Sequence, residues 1–189
     1  FVLTIGTIYL IPQTGVQNRI DSSIANIDAY FDSQKVNDRA RYTSIGARFE
    51  MWRASWMIFQ ENPVFGVGWG NYTEKAQELV DQHEVHLVVA KFYHPHNQFI
   101  SALVKGGVLG GGAIVLFFLL PSIIFFKLIR NYNVAEFHRF ALAGIVLIVG
   151  FIGFSLTESI LERSRSIIFF SFYLTVFMAL VQGKCEPVK

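Results

Sequence analysis

The sequence has few charged residues and almost no cysteine. Only 16% of its 189 residues are charged, against about 25% in an average soluble domain. Its single cysteine, Cys185, excludes an internal disulfide framework and a zinc site built from cysteines. The net charge of +2 provides no strongly basic surface, so we expect no nucleic-acid partner. Hydrophobic residues make up 52% of the chain, which indicates a membrane protein.

Three long uncharged stretches predict transmembrane helices, at residues 106–126, 140–157 and 166–183. A helix needs about 20 residues to cross a hydrocarbon core of about 30 Å, and about 17 is the lower limit. Residues 1–11 are also apolar but stop at Pro12, so we interpret them as the end of a truncated transmembrane helix. The sequence therefore predicts an all-α, polytopic integral membrane protein.

The basic residues between the predicted spans indicate the orientation of the chain. Residues 127–139 hold three basic residues against one acid, and such loops face the cytoplasm. This places 127–139 and the tail 184–189 in the cytoplasm. Residues 12–105, a large and mostly helical loop domain, and the short loop 158–165 then share the outer face.

The polar segment 12–105 is patterned as several short helices. Apolar residues recur at helical spacing over 18–33 and over 44–61, whereas 34–43 is charged and predicts a loop. Residues 62–71 have the composition of a turn. Three side chains are suited to cap the helices that follow them, namely Ser44, Asn71 (with Glu74 in a capping box) and Asn97.

Histidine provides the first set of candidate functional residues. His83 and His86 are three residues apart with no cysteine nearby, which favours a surface helix over a metal site. His96 differs because it follows Pro95 where the polar segment meets the membrane. The sequence alone leaves two roles open for His96: a catalytic one, or capping and packing. We expect no metal and no cofactor.

Arginine provides the second set. Arg41, Arg48 and Arg53 form a cluster alongside Trp52 and Trp56. Arginine binds phosphate in a bidentate manner, and tryptophan favours the membrane interface. The alternative interpretation is an interfacial anchor helix that binds no substrate.

Two stretches resemble the O-antigen ligase and polymerase superfamily. The first comprises residues 44–52 and 61–71. The second is His96-Asn97 followed after nine residues by Gly107 and Gly110, which is similar to the histidine motif of the ligases. The resemblance implies that the chain is the C-terminal part of a bacterial inner-membrane glycosyltransferase whose active site faces the periplasm.

The resemblance also implies a reaction and a set of residues. Such ligases transfer an O-antigen glycan from undecaprenyl diphosphate to the lipid A-core oligosaccharide, so donor, acceptor and lipid bilayer are the expected partners. His96 would be the general base and Arg48 would bind the diphosphate. The expected substrate-binding residues are Arg53, Asn97, Trp52, Arg163 and Arg165.

Two departures from the family pattern keep related activities open. Trp52 stands at the fourth place after Arg48, where the ligases have leucine. No arginine lies between Ala54 and Tyr93, so the family's second arginine would have to be Arg53, Arg163 or Arg165. A surface-polysaccharide polymerase and a protein O-oligosaccharyltransferase therefore remain alternatives. A transporter or flippase of lipid-linked glycans is a further hypothesis, disfavoured because the predicted spans hold no Asp, Glu, Lys, Arg or His.

Overall fold

The computed structural model describes residues 15–32, 38–131 and 135–182. Within these ranges all regular structure is helical, so the prediction of an all-α protein is confirmed. The helices are α1 (Val16–Phe31), α2 (Asp38–Arg41), α3 (Ser44–Glu61), α4 (Tyr72–Asp81), α5 (Gln98–Asn131), α6 (Ala135–Ser155) and α7 (Ser164–Gln182), with one-turn 3₁₀ helices at Leu87–Lys91 and Ile160–Glu162.

Three helices are long and apolar enough to cross a membrane, as predicted. They are Gln98–Arg130, His138–Ser155 and Ser164–Val181. Their exposed faces carry leucine, valine, isoleucine and phenylalanine, as contact with hydrocarbon requires. A spanning segment must close its backbone hydrogen bonds internally, and the helical ladders of these segments do so except at Gly107 in α5.

The helices extend beyond the uncharged stretches that predicted them. The helix expected at 106–126 follows the non-helical Gly107 and ends at Asn131, and α6 begins at Ala135. Much of the expected loop 127–139 is therefore helical, because an apolar stretch marks only the part that suits hydrocarbon and backbone bonding continues into polar residues. The part of α5 before Gly107 is a separate helical segment that folds back on the rest, because the rings of Phe99 and Phe118 lie 6.1 Å apart, whereas 19 residues of a straight helix would span about 28 Å. The expected truncated helix 1–11 and the tail 184–189 lie outside the described residues.

Helix capping follows the predictions only in part. Asn97 accepts hydrogen bonds from the N–H groups of Phe99 and Ile100, both at 3.0 Å, so this cap is confirmed. Ser44 is instead the first residue of α3, and Thr43 Oγ1 accepts from Gly46 N at 3.0 Å. The predicted cap at Asn71 is wrong, because its side-chain amide donates to Val67 O at 2.8 Å.

The hydrophobic side chains form two cores. One lies outside the spanning helices, where α3 and α4 pack with the 3₁₀ helix Leu87–Lys91. The other lies between the three spanning helices and is rich in phenylalanine. The largest side chains of the first core are Met51, Ile58 and Tyr72, and those of the second are Phe125, Ile148 and Phe170.

A break in α5 at Gly107 connects these two parts. Gly107 has φ 62° and ψ −159°, which no helical residue has, so the helical bonding ladder is interrupted there. Backbone groups freed by such a break must find other partners. The turn 63–68 supplies them in three hydrogen bonds: Val67 N to Val104 O (3.0 Å), Gly68 N to Lys105 O (2.9 Å) and Val108 N to Pro63 O (2.8 Å).

Glycine is required at the break for two reasons. A Cβ atom at Gly107 would lie 2.1 Å from Val64 O, and the positive φ is unfavourable for other residues. Gly66 approaches the same place from the turn, where a Cβ would lie 2.5 Å from Gly106 N. The two backbones therefore meet with no room for a side chain.

We expect Gly107→Ala to destabilise the protein by more than about 1 kcal/mol, because it adds steric overlap to an unfavourable φ. Gly112→Ala is the matched control, since a Cβ there meets nothing within 4 Å. Thermal unfolding of both variants of the full-length protein in detergent provides the measurement. Equal unfolding temperatures would contradict the role assigned to the break.

Candidate functional site

Arg48 and His96 line the same cavity, which has a volume of about 340 Å³. Arg48 comes from α3, and His96 lies in the turn that precedes α5. Lys91, the last residue of the 3₁₀ helix, is a third nitrogen-bearing side chain in the wall. Among the described residues that line this cavity none is acidic. The cavity, which we call the cationic cavity, is therefore suited to an anion.

The turn that carries His96 is fixed to α3. Trp52 Nε1 donates a hydrogen bond to Pro95 O at 2.8 Å. His96 itself has φ 50°, a left-handed conformation that costs a non-glycine residue about 1–3 kcal/mol. Such strain persists only where surrounding contacts hold it, and it is frequent at functional sites.

Asn97 ties the same turn to the segment between α6 and α7. Its Nδ2 donates to Leu156 O at 3.1 Å, while its Oδ1 caps α5. The side chain is buried. All of these hydrogen bonds join Asn97 to other parts of the protein. We therefore interpret Asn97 as a residue that positions its neighbour His96.

Glu158 is the residue that sequence reasoning missed. Its Oε2 lies 3.2 Å from His96 Nδ1 and 3.4 Å from Arg163 Nη2, and its Oε1 lies 3.4 Å from His94 Nε2. The sequence placed 158–165 on the same face as the histidines. It carried no signal that would pair Glu158 with a residue 62 positions away.

The contacts of the two imidazole rings assign their protons. His96 N donates to His94 Nδ1 at 3.2 Å, so the proton of neutral His94 lies on Nε2, facing Glu158. His96 Nδ1 also faces Glu158 and carries its proton there. This leaves the lone pair of His96 on Nε2, free to accept a proton.

The same three side chains have a donor set that could hold a metal ion. One atom from each of His94, His96 and Glu158 lies within 4.8 Å of the others. A metal on His94 Nε2 would require the ring proton to move to Nδ1, which already accepts from His96 N. The arrangement therefore fits a hydrogen-bonded cluster better than a metal centre.

Burial and neighbouring charge shift the pKa values of this cluster. Burial lowers the pKa of His94 below its usual value, and the nearby His96 adds to this. Burial acts to raise the pKa of Glu158, but His96, His94 and the Ser159 N–H together bring it below its usual value. A neutral His94 beside an ionised Glu158 is the favoured state near neutral pH.

A second contact holds the two site segments together. Lys105, which is buried on α5, lies 2.7 Å from Glu162 in the 3₁₀ helix that follows Glu158. Glu162 also accepts from Ser101 Oγ. A buried ion pair is costly to break, because the remaining charge loses its partner. This pair therefore keeps the segment of Glu158 against the start of α5.

The structure separates the other predicted arginines. Arg53 lines a different cavity, of about 640 Å³, together with Arg41 and His86. It lies five residues after Arg48, which is about 140° around a helix. Arg163 contacts Glu158, and Arg165 is exposed. None of the three is among the residues that line the cationic cavity.

Fold and site together define a helical membrane protein with a histidine–carboxylate pair beside a cationic cavity, at one end of its spanning helices. Residues 1–115 match the O-antigen ligase family, and the chain belongs to that family. It is 30% identical over 171 residues to an uncharacterized protein of Haemophilus influenzae. The match covers 89% of this chain and 41% of that protein, so the chain spans less than half the length of this relative.

The lowered pKa of His94 predicts that stability falls in mild acid. Below the usual imidazole pKa of about 6.5, the unfolded chain takes up a proton that folded His94 resists. The groups that act on this ring are His96, Glu158, Glu162 and Lys105. We expect the free energy of unfolding to decrease as pH is lowered through this range, and His94→Gln to weaken that dependence.

Denaturant unfolding of the purified full-length protein at pH values from about 8 to about 5 measures this effect. Glu158 contributes in the same direction only at lower pH, near the usual carboxyl pKa of about 4.3 and below. An identical slope for wild type and His94→Gln would show that the His94 ring does not resist protonation.

Proposed function

We propose that the protein is a membrane glycosyltransferase that moves a glycan from a polyprenyl diphosphate to an acceptor hydroxyl. The observation that carries this proposal is the shared cavity of Arg48 and His96, with Glu158 directing the lone pair of His96 to Nε2. Membership of the O-antigen ligase family supports it. The finer proposal is O-antigen ligation from undecaprenyl diphosphate to lipid A-core, on the periplasmic face of the inner membrane.

The residues suit a single displacement. His96 Nε2 accepts the proton of the acceptor hydroxyl, and the hydroxyl oxygen forms a bond to the anomeric carbon. The bond from that carbon to the diphosphate oxygen breaks, and its electron pair leaves with the diphosphate, which inverts the anomeric centre. Arg48 stabilises the charge that develops on the leaving group.

Glu158 is a positioning residue in this scheme. Its carboxylate accepts from Nδ1 of His96, which holds the ring in one tautomer and stabilises the imidazolium that forms during transfer. Arg163 and His94 contact the same carboxylate and keep it in place. The carboxylate need not take up the proton itself.

The position of the site fits a lipid-linked donor. Glu158 follows α6 by three residues, and its Oε2 lies 3.2 Å from His96 Nδ1. Both side chains therefore lie near one end of α6, a helix that is long and apolar enough to span a membrane. At that level the diphosphate of a lipid donor can reach the cavity while its hydrocarbon chain stays in the bilayer.

The polymerase and the protein O-oligosaccharyltransferase share this chemistry and differ in the acceptor. The glycolipids of cells that lack the full-length protein distinguish them. Loss of glycan from lipid A-core indicates the ligase, and glycans limited to single repeat units indicate the polymerase. Loss of glycan from protein indicates the oligosaccharyltransferase.

We expect His96→Ala to lower glycan transfer by at least about a hundredfold, the usual scale for loss of a general base. Binding of the donor lipid should persist, because Arg48 is unchanged. His83→Ala is the control, since His83 lies on an exposed turn outside the cavity. Near-normal turnover of purified, donor-bound His96→Ala would end the general-base proposal.

We expect Arg48→Lys to fail in transfer almost as completely as Arg48→Ala. A lysine ammonium is a point charge and cannot reproduce the two parallel hydrogen bonds of a guanidinium to phosphate. An interfacial anchor would tolerate lysine, whose long side chain also reaches the membrane surface. Full transfer by Arg48→Lys in a membrane assay would favour the anchor interpretation.

A further inference from the structure

Lys91 lines the cationic cavity, and the sequence alone assigned no role to it. It ends the 3₁₀ helix Leu87–Lys91, and its Nζ lies 4.8 Å from the centre of the Tyr42 ring. Tyr42 lines the same cavity as Lys91, Arg48 and His96. A cation over an aromatic face is attracted to it, so this contact keeps the ammonium at the cavity wall.

The charges around the cavity leave two positive groups to be compensated. Arg48 and Lys91 line it, and no lining residue that the structure describes is acidic. The closest carboxylate to His96 is that of Glu158, which is already in contact with Arg163. An anion that carries two neighbouring negative charges would match this pair of cations.

The backbone of Lys91 is held while its side chain is exposed. Val88 N donates to His86 Nδ1 at 3.2 Å, which caps the 3₁₀ helix, and Val88 and Val89 are buried in the core. The side chain of Lys91 itself faces solvent. An incoming anion can therefore bind the ammonium without any change in the fold.

We propose that Lys91 binds the diphosphate of the lipid-linked donor together with Arg48, as the second cation of the site. This inference rests on the proposed function. It gives the role of second diphosphate-binding cation to Lys91, and not to Arg53, Arg163 or Arg165. Arg48 supplies a planar fork for one phosphate, and Lys91 supplies a point charge for the other. Because Lys91 acts as a point charge on an exposed stem, an arginine in its place should also serve.

Binding of inorganic pyrophosphate to the purified full-length protein tests the proposal by calorimetry. We expect Lys91→Ala to bind it at least about tenfold more weakly, the scale of one lost charge-assisted hydrogen bond. Lys91→Arg should retain binding within about threefold, since the charge is kept. Lys75→Ala is the control, because Lys75 pairs with Glu78 on α4 outside the cavity.

The variants separate this proposal from the proposed function. Weaker binding and a higher donor KM for Lys91→Ala, with the unfolding temperature unchanged, support it. Loss of binding in Arg48→Ala but not in Lys91→Ala overturns the role of Lys91 and leaves the proposed function standing. Loss of pyrophosphate binding in Arg53→Ala or Arg163→Ala, with normal binding in Lys91→Ala, also overturns the role of Lys91. If Arg48→Ala binds pyrophosphate and transfers glycan normally, the diphosphate-binding role of Arg48 fails, and the pairing proposed for Lys91 fails with it. If the wild-type protein transfers no glycan from a polyprenyl diphosphate, the proposed function itself fails.

Discussion

Backbone hydrogen bonds between the turn 63–68 and the break at Gly107 hold α3 and α4 onto the helices that are long and apolar enough to cross a membrane. Because the break frees polar groups at the end of a spanning helix, the turn must bind there, and glycines on both sides allow the contact. This contact joins the two stretches that resemble the family, since 61–71 contains the turn and Gly107 belongs to the histidine motif. The spacing of nine residues between Asn97 and Gly107 sets how far the histidine lies from the break.

The site itself is assembled from segments that are distant in sequence. Arg48 comes from α3, His96 from the turn before α5, and Glu158 from the link between α6 and α7. The ion pair of Lys105 and Glu162 brings that link onto α5 next to the break. The anchoring contacts and the chemical groups are thus neighbours, so a shift at the break would displace Glu158 from His96.

The sequence predicted those features that depend on local pattern. Uncharged length predicted the three spanning helices, and helical spacing predicted 44–61. The sequence did not predict the features that depend on contacts between residues far apart along the chain. The break at Gly107 lies within an uncharged stretch that predicts one continuous helix. Glu158 pairs with His96, 62 positions away in sequence. Arg53 faces a different cavity from Arg48, although only five positions separate the two.

Trp52 shows how one departure from the family pattern acts in this chain. The ligases have leucine at this place, which has no polar hydrogen, whereas Trp52 donates its N–H to Pro95 O. Trp52 lies one helical turn after Arg48, and Pro95 directly precedes His96. A single hydrogen bond therefore connects the helix of the proposed diphosphate-binding arginine to the turn of the proposed base. Trp52 was expected to bind substrate, but its geometry is that of a residue that sets the distance between Arg48 and His96.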